Sequence, residues 1–259
     1  MSASGGGSGA VIRCEGLSKR YGSTLAVDGL DLEVGPGQVY GFLGPNGAGK
    51  TTTIRMLMGL VSPSAGRAWV EGLELPDPSV AAMVGSMIEE PAFYPWMTGR
   101  ANLEWFGSVS RRASRVLVSE ALGWSGASSF ADRKVKTYSQ GMRQRLGLAD
   151  AVMGRPRLLI LDEPTNGLDP AGIREVRGLL RGFAADGGTV FVSSHLLAEV
   201  EQVCDRAAVI VRGRLVDEGP VATLGAVGGY GSPWWLPTWS PPEKPSQSGP
   251  SLWRGRRWT

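Results

Sequence analysis

The sequence predicts an α/β domain with a mainly parallel sheet, and three observations carry that expectation. Short, largely apolar runs recur at 39–43, 158–161 and 189–192, as strands buried on both faces do. Segments with helical character separate them, the alternation that builds parallel sheets. Finally, Gly44-Pro45-Asn46-Gly47-Ala48-Gly49-Lys50-Thr51-Thr52 joins the first run to a helix. It fits the G-x-x-x-x-G-K-[ST] phosphate-loop pattern, in the strand–loop–helix setting the pattern requires.

In chain order, residues 1–10 are rich in Gly and Ser and lack the charged and apolar regions of a secretion signal, so they read as a flexible leader. Val11 to Val34 falls into short runs broken by Gly16, Gly22 and Gly29, which predicts strands and turns. Gly35-Pro36-Gly37 is a turn before the strand at 39–43. A helix over 51–60 follows the phosphate loop, and 66–71 and 83–88 read as short strands. Thr98 can N-cap a helix through Leu103, Trp105 and Phe106. Residues 111–122 predict a second helix and 139–153 a third, stopping at Gly154. Residues 90–153 are therefore expected as a mostly helical subdomain within a domain spanning 11–224. After the strand at 158–161, Asp169 and Pro170 supply an N-cap and first-turn pair for a helix to about Phe183. Ala207–Val211 and Leu215–Asp217 flank Gly213 as a hairpin.

Beyond Leu224 the periodicity ends. Residues 225–259 are expected to be disordered. Trp234, Trp235, Trp239, Trp253 and Trp258 follow neither helical nor strand spacing, and Pro237, Pro241, Pro242, Pro245 and Pro250 block regular structure. Two readings stand open: an aromatic patch that docks on a partner or a membrane interface, and a non-native end.

Composition narrows the function. With 259 residues the chain has room for one large domain or two small ones, and 42% hydrophobic residues permit a sizeable core. The net charge is only +3, with no basic run in the body of the chain to track a nucleic-acid backbone, so no nucleic-acid partner is expected. Cys14 and Cys204 lie far apart, without C-x-x-C or metal-ligand spacing. That fits two free thiols in a reducing cytosol. No apolar run is long enough to span a bilayer, so any link to a membrane is expected to pass through a partner.

The chemistry-bearing residues fall at strand ends. Glycines 44, 47 and 49 let successive N–H groups face a phosphate, and the following helix adds its positive end. Lys50 would reach the β- and γ-phosphates, and Thr51 would help hold Mg²⁺. Leu158-Leu159-Ile160-Leu161-Asp162-Glu163 places two carboxylates at the end of a buried strand. Asp162 suits Mg²⁺, and Glu163 suits orienting or deprotonating the attacking water. Solvated acids at a strand end are the plain alternative. His195, the only histidine, follows the strand at 189–192; it is read as a γ-phosphate contact, against an ordinary surface or packed histidine. Ser139 and Gly141 open a helix and form either a second anion site or a simple N-cap.

Taken together, the loop at 44–51, Tyr138-Ser139-Gln140-Gly141-Met142, the acidic strand 158–163, Leu168-Asp169 and His195 resemble the ATP-binding subunits of ABC transporters, over about residues 11–220. The resemblance implies a P-loop ATPase core with an N-terminal antiparallel β-subdomain and a helical subdomain. It also implies a head-to-tail homodimer, with ATP held between residues 44–52 of one copy and Ser139/Gly141 of the other. Tyr21 matches the aromatic that stacks on adenine; a strand-end tyrosine in a core is the other reading. Asp169 matches a residue that communicates across the dimer. Glu89 stands where the family carries a Gln meeting the metal site and the permease. This Glu89 and the Tyr-Ser-Gln-Gly-Met variant of the usual Leu-Ser-Gly-Gly-Gln resemble the drug- and bacteriocin-exporter branch. The expected protein is thus an ATP-hydrolysing subunit using ATP and Mg²⁺, held at the cytoplasmic face of the membrane by a separate permease. The alternatives are a soluble ABC ATPase acting on ribosomes or DNA, and a truncated inactive cassette.

Overall fold

The computed structural model describes residues 9–89, 92–110 and 114–224. The expected tail at 225–259, most of the expected leader, and Glu90 and Pro91 lie outside the described residues.

The chain opens with an antiparallel hairpin of β1 (Ile12–Tyr21) and β2 (Thr24–Val34). In β2, Leu30, Leu32 and Val34 are buried while Asp31 and Glu33 are exposed, the period-2 pattern of a sheet with one covered face. β3 (Val39–Leu43) leaves this sheet, and α1 (Lys50–Leu57) follows it. β4 (Ala65–Val70) then returns to pair with the other edge of β1, and β5 (Leu73–Glu74) completes a four-stranded sheet ordered β2-β1-β4-β5. The turn α2 (Val80–Met83) leads into β6 (Val84–Met87).

A helical unit comes next, made of α3 (Gly99–Val109), α4 (Arg115–Trp124) and α5 (Gln140–Val152). Each helix starts at a hydroxyl N-cap. Thr98 accepts from the Ala101 N–H at 3.1 Å, Ser114 from Leu117 at 3.3 Å and Ser139 from Met142 at 3.3 Å. Such caps contribute about 0.5–2 kcal/mol each. Leu103, Leu122, Val135, Tyr138 and Leu146 give this unit its own core.

The chain returns through β7 (Leu158–Asp162), α6 (Pro170–Ala185), β8 (Thr189–Ser194), α7 (Leu197–Val203), β9 (Arg206–Val211) and β10 (Arg214–Pro220). The second sheet is six-stranded, ordered β10-β9-β3-β8-β7-β6. Every neighbouring pair is parallel except β9–β10. All residues of β3, β7 and β8 are buried, and alternate side chains feed two cores. Tyr40, Phe42, Leu158, Ile160 and Phe191 face the antiparallel sheet and α1. Val39, Leu43, Leu159, Leu161, Val190 and Val192 face α6 and α7. Phe191 anchors the first core, 5.4 Å from the Phe42 ring and 6.0 Å from the Tyr40 ring. Burying each such side chain is worth about 1.5–3 kcal/mol.

The expected mainly parallel α/β sheet and the antiparallel first sheet are both present. The differences are local. The helix read at 51–60 closes at Leu57, where the Leu60 N–H returns to the Arg55 carbonyl. Of the helix read at 111–122, residues 111–113 lie outside the described residues, and α4 runs from Arg115 with Ser114 as its cap. The strand read at 83–88 is preceded by the helical turn α2. α7 was not expected, although Leu197, Val200 and Val203 repeat at helical spacing, and Val200 and Val203 are buried. Cys14 and Cys204 are buried free thiols, as expected, and burial pushes each up to about 12, so neither is a ready thiolate near neutral pH. Among the described residues no helix is long and apolar enough to cross a membrane.

The helical unit meets the sheet through Gly85 of β6. A Cβ there would lie 2.0 Å from the Ala151 carbonyl oxygen of α5, so α5 can approach only against bare backbone. Gly85→Ala is expected to destabilise the domain by about 1–3 kcal/mol, read as a lowered midpoint in urea unfolding, with a larger loss for Gly85→Val.

Candidate functional site

β8 lies between β3 and β7, so its carboxyl end sits between the segments that follow those two strands. Open parallel sheets bind ligands at the carboxyl ends of their strands. Here three segments meet: residues 44–52 after β3, Asp162–Glu163 at the end of β7, and Ser193-Ser194-His195 at the end of β8.

The loop after β3 is pinned at both ends. The Gly44 N–H donates to the Ser194 carbonyl at 3.2 Å, and the Gly213 N–H donates to the Ala48 carbonyl at 2.8 Å. Within the loop, the Ala48 N–H turns back to Pro45 at 3.1 Å. The N–H groups of Asn46, Gly47 and Gly49 make no hydrogen bond among the described residues. They form a cradle of donors at the start of α1, whose dipole favours an anion. Gly49 has φ 110°, and a Cβ there would lie 2.5 Å from the Ala26 carbonyl oxygen, so only glycine fits. Thr52 sits in the first turn of α1, partly buried.

Lys50 is almost buried, at 5% exposure, and its ammonium has three acceptors. They are the Gly44 carbonyl at 2.8 Å, the Pro45 carbonyl at 3.3 Å and Glu163 Oε1 at 3.3 Å. A lysine has three donors to give, so a phosphate in the loop competes directly with Glu163 for Lys50. The other oxygen of Glu163 lies 3.0 Å from His195 Nδ1; with Glu163 ionised, the shared proton rests on Nδ1. Glu163 has φ 47°, a left-handed backbone that costs about 1–3 kcal/mol in a non-glycine residue. Its N–H donates to Ser193 Oγ at 3.0 Å.

Asp162 is 7% exposed. Its Oδ2 accepts from Thr51 Oγ1 at 2.7 Å, and its Oδ1 accepts from Ser193 Oγ. Among the described residues no three His, Cys, Asp or Glu side chains gather as a self-sufficient metal cage. One buried carboxylate beside one hydroxyl is instead the donor set that suits Mg²⁺, which takes one or two carboxylates and completes its shell with substrate phosphates and water.

Other expected residues lie outside this cluster. Ser139 and Gly141, at the start of α5, line a separate hollow of about 350 Å³ with Leu168 and Asp169. Tyr21 ends β1 at 46% exposure, with the Lys19 ammonium 5.1 Å over its ring; it is a surface tyrosine and not part of a core. Glu89, with φ 63°, is exposed and pairs with Arg55 of α1, not with Thr51 or Asp162. A cleft of about 760 Å³ lies at the amino ends of the strands, by Pro36, Trp124, Phe183 and Thr189. It contains none of the motif residues.

Four polar residues that the sequence reading passed over complete the site. Ser193 bonds Asp162 and Glu163, as above. Glu199 of α7 accepts from Thr165 at 2.7 Å and from Ser194 at 3.0 Å. A signal for the serines existed, since adjacent hydroxyls at the end of a fully buried strand need partners.

The family model described as "ABC transporter" matches residues 27–166. The bacitracin transport ATP-binding protein of Bacillus licheniformis is 43% identical over 213 residues, covering 81% of this chain and 70% of that protein. The daunorubicin resistance ATP-binding protein of Streptomyces coeruleorubidus is 42% identical over 227 residues, covering 85% and 70%. A solved component of an ABC transporter complex from Clostridium perfringens superposes with a TM-score of 0.76 at 27% identity, covering 85% of this chain and 92% of that one. A loop of free N–H donors facing paired carboxylates across a parallel sheet suits attack of water on a nucleotide's terminal phosphate, the chemistry of the P-loop ATPases. The chain belongs to the ABC transporter family and is one of its ATP-hydrolysing subunits.

Lys50→Ala removes the charge that Glu163 and the loop share. Isothermal calorimetry should show ATP affinity lowered by roughly 10- to 100-fold, the worth of a hydrogen bond to a charged group, while circular dichroism stays that of the folded chain.

Proposed function

We propose that this subunit drives a separate membrane permease that exports a drug-like or peptide substrate. One observation carries the hydrolytic half of the reading: Glu163 stands between Lys50 and His195, one residue past the buried Asp162 that Thr51 bonds. The N–H groups of Asn46, Gly47 and Gly49 take the phosphates, and Lys50 exchanges Glu163 for the β- and γ-phosphate oxygens. Thr51 and Asp162 would hold Mg²⁺, which when bound would supply positive charge to offset that of the phosphate oxygens. Released from Lys50, Glu163 accepts the proton of the attacking water. His195, next to it, contacts the γ-phosphate. Tyr21, exposed at its strand end, stacks on the adenine.

The subunit works as a head-to-tail homodimer, in which Ser139 and Gly141 of a second copy close over the γ-phosphate. The hollow beside them supports this, being concave and at a helix start. The permease holds the subunit at the cytoplasmic face of the membrane. Its docking surface includes Trp96 and Trp105, 65% and 43% exposed, which flank Tyr94 at 5.2 and 5.1 Å. Exposed aromatics of this kind are enriched at protein interfaces. Glu89 lies just before this patch in the chain and couples it to α1 through Arg55. Export of a drug-like or peptide compound is supported by relatives named for bacitracin and daunorubicin. No nucleic-acid partner is involved.

Glu163→Gln should lower turnover by roughly 10²–10⁴-fold, as loss of a general base does, with ATP binding retained by calorimetry. Turnover at the wild-type rate would remove Glu163 from the role of base. In the Glu163→Gln background, adding Ser139→Arg should abolish ATP-dependent dimerisation on gel filtration while the monomer still binds ATP.

A further inference from the structure

β8 ends in two serines whose side chains leave on opposite faces of the strand, and the hydroxyls have different partners. Ser193 is fully buried and in register with Asp162 across the β7–β8 pair. It donates to Asp162 Oδ1 and accepts the Glu163 N–H at 3.0 Å. Ser194 serves the loops: its carbonyl accepts from the Gly44 N–H, and its hydroxyl accepts the Leu196 N–H at 3.0 Å just past His195.

We propose that Ser193 is a positioning residue for hydrolysis, whose one hydroxyl sets the Asp162 carboxylate and anchors the turn that carries Glu163. The proposal rests on the roles assigned above to Asp162 and Glu163. A carboxylate held by a single bond turns about its Cβ–Cγ axis. With Oδ1 fixed from within the sheet, Oδ2 is the oxygen presented to Thr51. Glu163 is where the chain leaves the sheet in a left-handed conformation, so the aim of its side chain depends on that backbone. The Ser193 bond holds the N–H of that residue, while the carboxylate of the same residue reaches Lys50 and His195. Alanine would strip both functions at once. Ser193 itself has no exposed surface, so it acts only through its two partners.

The test compares full-length Ser193→Ala, Ser193→Thr and Glu163→Gln with wild type. Steady-state ATPase assays give kcat and KM, and titration of Mg²⁺ into the chain with a fluorescent ATP analogue gives the half-saturating Mg²⁺ concentration without turnover. For Ser193→Ala, kcat should fall about 10- to 100-fold, as misplaced reacting groups do. KM for ATP should stay within about threefold, since the phosphate cradle is untouched. The Mg²⁺ midpoint should rise about tenfold or more, as when a partner of a metal ligand is lost. Ser193→Thr keeps the hydroxyl and should restore most of both. If Ser193→Ala does not fold, Ser193→Cys, with a weaker donor of similar size, should show the same split in smaller measure.

A folded alanine variant with wild-type kcat and Mg²⁺ midpoint overturns the proposal. So does one that loses ATP affinity alone, or a threonine variant as impaired as alanine. A fully active Glu163→Gln would instead overturn the base assignment, while the Mg²⁺ titration would still judge Ser193.

Discussion

A carboxylate, an ammonium and a hydroxyl are buried at the carboxyl ends of β3, β7 and β8, and the two charges are tolerable only because groups from the neighbouring strand ends satisfy them. Asp162, Lys50 and Ser193 are at most 7% exposed. A buried charge without a partner costs several kcal/mol. Together, Thr51 and Ser193 occupy both oxygens of Asp162, while Glu163 and the loop carbonyls occupy Lys50. This mutual satisfaction requires β8 to lie between β3 and β7. The strand order is therefore a condition of the chemistry as well as of the packing.

The same arrangement explains how the helical unit connects to the site. Gln144 of α5 donates to the Pro164 carbonyl at 2.6 Å, and Gln140 donates to the Asn166 carbonyl at 3.3 Å. Both acceptors lie in the turn that follows Glu163. From the other side, Glu199 holds Thr165 of that turn and Ser194 beside His195. A shift of α5 relative to the sheet must move or break these bonds, so the turn carrying Glu163 is mechanically coupled to a unit with its own core. Gly85 keeps that unit close, by letting α5 lie on the backbone of β6.

Much of this was legible in the sequence. The strands read at 39–43, 158–161 and 189–192 announced themselves because burial on both faces leaves continuous apolar runs. The loop at 44–52 was legible because its chemistry depends on backbone freedom and fixed spacing. The caps at Thr98, Ser139 and Asp169 were readable because capping is local. Ser193 and Glu199 were not. Their roles depend on which strands become neighbours, and strand order is not written in any short window. Glu89 shows the converse. The family resemblance set it where a Gln meets the metal site and the permease, and in this structure its carboxylate pairs with Arg55, one turn along α1. Tyr21 was open between an aromatic that stacks on adenine and a strand-end tyrosine in a core, and its exposure removes the core reading.

The central claim is that Lys50 is shared, passing from Glu163 to the nucleotide and so freeing the carboxylate. A crystal structure with Mg²⁺ and a non-hydrolysable ATP analogue tests it most directly. The account predicts phosphates seated on the N–H groups of Asn46, Gly47 and Gly49, with Lys50 Nζ on the phosphate oxygens and no longer paired with Glu163. A nucleotide bound elsewhere, or one bound in the loop while the Lys50–Glu163 pair stays closed, would contradict it.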